Sequence, residues 1–168
     1  MDKNIEQAFN DQINAEYHSS YLYLSMAAYF EAESYPGMAS WMRVQTQEEL
    51  FHAMKFFDFV AERGGRVKLT AIEGPEIEWK SPLDAFQAAY KHEQYITGRI
   101  NNLVGIAREA KDFAADNFLQ WFVGEQVEEE ATVDKIVQDL KRAGDNAQIL
   151  LMLDRELAAR VFTPPPAE

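Results

Sequence analysis

Gln47-Glu48-Glu49-Leu50-Phe51-His52 places a carboxylate and an imidazole three residues apart in the middle of a long stretch without Gly or Pro. Residues at i and i+3 share one face of a helix, so Glu49 and His52 point the same way. Steps of four and three residues connect them to Met38, Met42, Gln45, Phe56 and Phe59, an apolar stripe that predicts a core-facing surface. Two strongly polar side chains therefore stand where core residues belong. Taken alone, they fit a buried ion pair or a hydrogen-bonded histidine as well as a ligand set; the remaining helices decide.

Before this helix, residues 3–33 hold no Gly or Pro, and Phe9, Ile13, Glu16, Ser20, Tyr23, Ala27 and Phe30 form a similar stripe. The pattern predicts a first helix of about 30 residues, some 45 Å long at ~1.5 Å per residue. Ser34-Tyr35-Pro36-Gly37 predicts a tight turn, and the second helix then covers about 37–63, stopping at Gly64-Gly65. A short connection between long helices implies antiparallel neighbours. Arg66 to Lys80 has no helical period, and in extended form, at ~3.3 Å per residue, it is long enough to run back along the bundle. Ser81 as N-cap and Pro82 at the first helical position start a third helix, about 82–110, with Leu83, Phe86, Tyr90, Glu93, Thr97, Ile100, Val104 and Ala107 in register. A fourth, about 114–143, carries Leu119, Phe122, Gln126, Glu129, Val133, Ile136 and Leu140 and closes at Gly144. A fifth, about 145–161, puts Leu150, Leu153, Leu157 and Val161 on one face, which has no place in a closed four-helix core and is expected to pack on other subunits. Pro164, Pro165 and Pro166 follow. The expected architecture is all-α: one domain over 1–168, a four-helix bundle with one long crossover and a short C-terminal helix.

Each of the four stripes is broken by acid or amide near mid-helix: Glu16, then Glu49 with His52, then Glu93, then Gln126 with Glu129. In bundle geometry these positions converge at one level. An unpaired buried carboxylate costs several kcal/mol, so four at one level would rival the ~5 to 15 kcal/mol that holds a domain together. No Lys or Arg lies on the stripes at this depth, which leaves protons or metal ions as the compensation. Two divalent cations would balance the four charges, and oxygen donors with one imidazole suit iron, manganese or zinc.

Composition is compatible with this. The 168 residues are 47% hydrophobic and 26% charged, as in ordinary globular proteins. Twenty-eight acidic against 16 basic residues give a formal charge of −12, which argues against nucleic acid or an anionic membrane as partner. With no cysteine, disulfides and thiolate metal sites are excluded. No apolar run approaches the ~20 residues needed to span a bilayer, and no signal-peptide pattern precedes the first helix, so a cytoplasmic protein is expected.

Ferritin-like bundles carry dinuclear sites built from one Glu on each of two helices and Glu-x-x-His on each of the other two. This chain has that pattern on helices one to three and departs from it on the fourth, where Gln126-x-x-Glu129 replaces Glu-x-x-His. With Asn14-Ala15-Glu16-Tyr17, Glu125-Gln126-Val127-Glu128-Glu129-Glu130 and the fifth helix, it resembles the ferritins along its whole length, particularly the non-haem bacterial type. The resemblance implies a homo-oligomeric cage of 24 copies that oxidises Fe(II) with dioxygen or hydrogen peroxide at a diiron ferroxidase site and stores Fe(III) as a hydrous oxide. It implies one iron held by Glu16, Glu49 and His52 and a second by Glu49, Glu93 and Glu129, with Glu49 bridging and Gln126 nearby. It further implies a third iron position at Glu48, Glu125, Glu128 and Glu129, with Tyr23 beside the diiron site. Haem is not expected, because Leu50 stands where the haem-binding relatives carry the axial methionine. A diiron oxygenase or peroxidase and a purely structural acidic bundle are the competing readings. His18 and His92 are expected to point away from the seam, and Trp41, Trp79 and Trp121 to serve as packing or interface aromatics.

Overall fold

A computed structural model describes residues 1–164; Pro165 and Pro166 of the proline run lie outside the described residues. Five helices follow in order, α1 (Lys3–Ala32), α2 (Pro36–Glu62), α3 (Pro82–Glu109), α4 (Phe113–Ala143) and α5 (Ala147–Leu157), and among the described residues there is no strand. The first four form an antiparallel bundle, with α1 against α2, α3 against α4, and α1 also against α3.

Helix ends follow local chemistry. Asp2 caps α1 by accepting from the Asn4 amide at 2.8 Å, and Ser81 caps α3 by accepting from Asp84 at 3.1 Å. After α2 the Gly65 amide donates to the Val60 carbonyl and the Gly64 amide to Ala61, while Gly64 takes φ +67°. This is the glycine-closed helix end that the sequence signals. The same pair of bonds closes α1 and α3, but there Ser34 (φ 64°) and Lys111 (φ 54°) occupy the left-handed position, so neither stop is marked by glycine. Gly37 plays a different part from the one expected. It lies inside α2, and a Cβ there would come within 1.7 Å of the Asp154 carbonyl oxygen, so it is a contact point for α5.

The crossover runs extended along α1, tied down by a series of polar side chains. Asn10 donates to the Arg66 carbonyl and accepts from the Lys68 amide, Asn14 donates to Thr70 and Ala71, and Ser25 donates to Glu76. These bonds satisfy backbone groups that a fifteen-residue stretch without secondary structure would otherwise leave unpaired.

The fifth helix departs from expectation. Leu150, Leu153 and Leu157 pack onto the chain's own core beside α2 and α4, and buried Asp154 accepts from the Met38 amide at 2.8 Å. The carboxylate satisfies one of the free amides at the start of α2, which anchors α5 there. Helix α5 ends at Leu157, so Val161 falls outside it and is 74% exposed.

The bundle interior consists of two apolar clusters. One holds Tyr23, Met26, Phe30, Met38, Met42, Phe86, Val133 and Leu140; the other holds Phe9, Ile13, Phe56, Ile96, Ile100, Leu119 and Phe122. On every helix the residues between them are the polar ones that interrupt the stripe. A polar layer thus cuts the core across its middle.

Candidate metal centre

Glu16, Glu49, Glu93 and Glu129 are each between 1% and 5% exposed, and His52 and Gln126 are buried with them. Every helix delivers its acid for the same reason: the apolar stripe fixes which face turns inward, and the carboxylate lies on that face. Ligand atoms of Glu16, Glu49 and His52 come within 4.8 Å of one another and could hold a metal ion, with the His52 Nδ1 3.4 Å from Glu49 Oε2. Tyr23 donates its hydroxyl to Glu93 Oε1, and the Gln126 amide donates to Glu93 Oε2 at 3.1 Å. Gln45 donates to Glu49 Oε1 at 3.1 Å and to Glu129 Oε2 at 2.9 Å, linking α2 to α4. Gln12 donates to Glu16 Oε1 at 2.8 Å, and Glu16 Oε2 is buried with no hydrogen-bond partner among the described residues.

Electrostatics show what the layer lacks. Burial pushes Glu16, Glu49, Glu93 and Glu129 up to about 8, with repulsion from neighbouring carboxylates adding to it. Burial and the adjacent Glu93 likewise drive the Tyr23 hydroxyl well above its ordinary value. Among the described residues no Lys or Arg forms a salt bridge with any of the four. The donor set of four carboxylates and one imidazole, with a buried Glu16 oxygen lacking a partner among the described residues, fits hard or borderline divalent cations. Zinc's usual four-coordinate sites draw on fewer oxygens.

The chain is similar to known proteins over nearly all of its length. A family model described as a ferritin-like domain matches residues 6–143. The bacterial non-heme ferritin of Staphylococcus aureus is 40% identical over 162 residues, 96% of this chain and 98% of the relative, and that of Staphylococcus haemolyticus is 41% identical over the same length. The chain belongs to the ferritin family. Solved ferritin structures from Archaeoglobus fulgidus agree: an engineered closed form is 57% identical with a TM-score of 0.96, covering 97% of this chain and 99% of that one. An open-pore form is 56% identical with a TM-score of 0.95, covering 96% and 99%.

Against this ferritin frame the remaining expected residues separate. Glu125 presents an oxygen within 4.8 Å of His52 and Glu129 ligand atoms, whereas Glu128 is exposed. Glu48 is half-buried and paired with Arg160, which follows α5. His92 stays out of the layer, its Nε2 2.8 Å from Ser19 Oγ and its ring edge-on to Tyr23; burial lowers it to about 4. Trp121 packs edge-on against His52, with Lys55 Nζ 4.4 Å from its ring centre, and Trp41 lies under the Arg160 guanidinium.

Sequence reasoning missed Gln12, Arg99 and Arg160 as neighbours of the layer, and treated Gln45 only as part of a stripe. A signal was present: Gln12-x-x-x-Glu16 and Gln45-x-x-x-Glu49 repeat one spacing on two helices. Nothing local pointed to Arg99 or Arg160, which reach the layer from α3 and from beyond α5.

Proposed function

We propose that this protein is an iron-storage ferritin that oxidises Fe(II) to Fe(III) at a diiron site inside each subunit and deposits the product as a hydrous ferric oxide within a homo-oligomeric cage. Iron is substrate and cargo here. The observation that carries the reading is the convergence of Glu16, Glu49, His52, Glu93 and Glu129 from four helices in one buried layer with an unpaired oxygen on Glu16. One Fe(II) is assigned to Glu16, Glu49 and His52, the second to Glu49, Glu93 and Glu129, and Gln126 adjoins the second through Glu93.

Anionic oxygen donors stabilise Fe(III) over Fe(II), so the ligands themselves make the iron easier to oxidise. Two irons together yield two electrons to dioxygen or hydrogen peroxide, and His52 is the one neutral donor of the set. Tyr23, bonded to Glu93, holds that carboxylate in place and stands within reach as a further electron donor. A third iron position beside the pair is assigned to Glu48, Glu125, Glu128 and Glu129, supported by Glu125 and Glu129, which present ligand atoms together with His52. Haem plays no part, and a Soret band in the purified protein would contradict this.

Assembly is supported by apolar side chains left exposed: Tyr21 and Leu24 on α1, and Leu69, Ile72 and Ile77 on the crossover that runs along α1. A cage of 24 subunits is the proposed form. Among the described residues no helix is long and apolar enough to cross a membrane, and a cytoplasmic location is proposed.

Adding Fe(II) anaerobically and then admitting air tests the activity. A fast phase consuming two Fe(II) per subunit is expected. Oxidation no faster than in buffer, with the assembly intact, would leave an acidic structural bundle instead.

A further inference from the structure

Two buried glutamines, Gln12 and Gln45, are both 0% exposed, and both sit four residues before a layer glutamate on the same helical face. Each is met on its outer side by an arginine. Arg99 Nε donates to Gln12 Oε1 at 2.8 Å, and Arg160 Nη1 donates to Gln45 Oε1 at 2.7 Å. A guanidinium has donors only. An amide facing one must present its carbonyl to it, so the amide nitrogen is turned inward. There Gln12 takes Glu16 Oε1, and Gln45 takes Glu49 Oε1 and Glu129 Oε2.

We propose that Arg99–Gln12 and Arg160–Gln45 are paired positioning relays, which select the carboxylate oxygens that remain free for metal by occupying the others from opposite sides of the layer. The inference rests on the diiron reading above. Its physical content is division of labour. An arginine inside the layer would take the place of a metal ion, whereas an arginine one amide away orders the acids without entering the site. Glu16 shows the outcome: Oε1 is held, and Oε2 is buried and unpaired. On the other side Glu49 Oε1 is held and its Oε2 faces His52 Nδ1.

The Arg99 limb is the cleaner one to test, because among the described residues Arg99 bonds otherwise only to the Tyr95 hydroxyl and the Asp11 carbonyl, whereas Arg160 also pairs with Glu48. Anaerobic titration of the assembled cage with Co(II), followed by its d–d absorption, reports ligand geometry without redox chemistry. Arg99→Met and Gln12→Leu should each weaken the tighter Co(II) by roughly tenfold to a hundredfold, the usual effect of losing a ligand's supporting partner. The double variant should lose no more than Gln12→Leu alone, and Arg99→Lys, which keeps a donor, should recover most of the affinity.

If Arg99→Met costs the same whether or not Gln12 is present, the arginine acts by its own charge or packing and the relay is wrong. Unchanged Co(II) affinity and spectrum in both single variants would overturn it equally. Should Arg99→Met fail to assemble, Gln12→Leu and Arg99→Lys still decide the matter. A wild-type cage that takes up no Co(II) would remove the metal site, and the relay with it, before any variant is compared.

Discussion

Two groups of acids lie side by side in this molecule and behave as different materials. Glu16, Glu49, Glu93 and Glu129 are sealed between two apolar clusters, and burial, with repulsion among them, holds them near 8. Glu48, Glu125 and Glu128 occupy the neighbouring α2 and α4 positions, but Glu128 is exposed and Glu48 carries its own counter-ion in Arg160. The residue type is the same, and the difference is the cost of the charge. An acid in water needs no partner, whereas one in the layer must be protonated or face a cation. Only the first group is therefore forced toward metal.

The largest consequence falls on the bridging acid. Glu49→Ala should abolish the fast phase of Fe(II) oxidation, by more than about a hundredfold, since even losing a ligand's support costs up to that much. Glu128→Ala on the exposed group should change the rate by less than about twofold. Stopped-flow absorbance on assembled cages compares the two, and equal losses would erase the distinction between the groups.

Next comes the pH dependence of the metal-free protein. In the folded layer the carboxyls hold protons up to about 8, whereas in the unfolded chain they release them near the ordinary value of 4.5. Between these values the folded state binds more protons, so the layer's contribution to stability is fully present below 4.5 and is lost as pH rises through 8. Each such group adds a slope of about 1.4 kcal/mol per pH unit. Glu16→Gln should flatten the curve and raise the melting temperature of the metal-free protein at pH 9. A metal-free protein whose melting temperature stays level from pH 5 to 9, with Glu16→Gln no different, would show the layer to be ionised already.

Metal binding should cancel that slope. Divalent cations require deprotonated ligands, so binding at pH 7 releases protons and tightens as pH rises. Calorimetry in buffers of different ionisation enthalpy measures the release; none at all would mean that the carboxylates were already free.

The smallest effect concerns Tyr23. Tyr23→Phe removes one hydrogen bond to Glu93, worth about 1 kcal/mol net, and should slow oxidation modestly while both metals still bind. Loss of the second metal in this variant would make Tyr23 essential to the Glu93 ligand itself.

The bundle and its layer were legible because each depends on periodicity within a single helix. Glu16, Glu49, His52, Glu93, Gln126 and Glu129 all fall on stripes that local spacing defines, and the structure buries all six. Features set by tertiary contact were not legible. Gly37 looked like a turn glycine because its partner, the Asp154 carbonyl, lies 117 residues further along the chain. The apolar face of α5 looked orphaned because sequence alone did not show the seat that α2 and α4 provide for it. The ends of α1 and α3 were read to within a residue, at about 33 and 110, although Ser34 and Lys111 rather than glycine take the left-handed position after them. Arg99 and Arg160 could not be tied to the layer for the same reason as Gly37: the pairing is long-range.

The most direct measurement is anomalous diffraction at the iron edge from crystals soaked anaerobically in Fe(II). Two iron peaks are predicted inside the bundle, one touching Glu16, Glu49 and His52 and the other touching Glu49, Glu93 and Glu129. Iron found only on the outer acids, with the buried layer unoccupied at saturating Fe(II), would contradict the account.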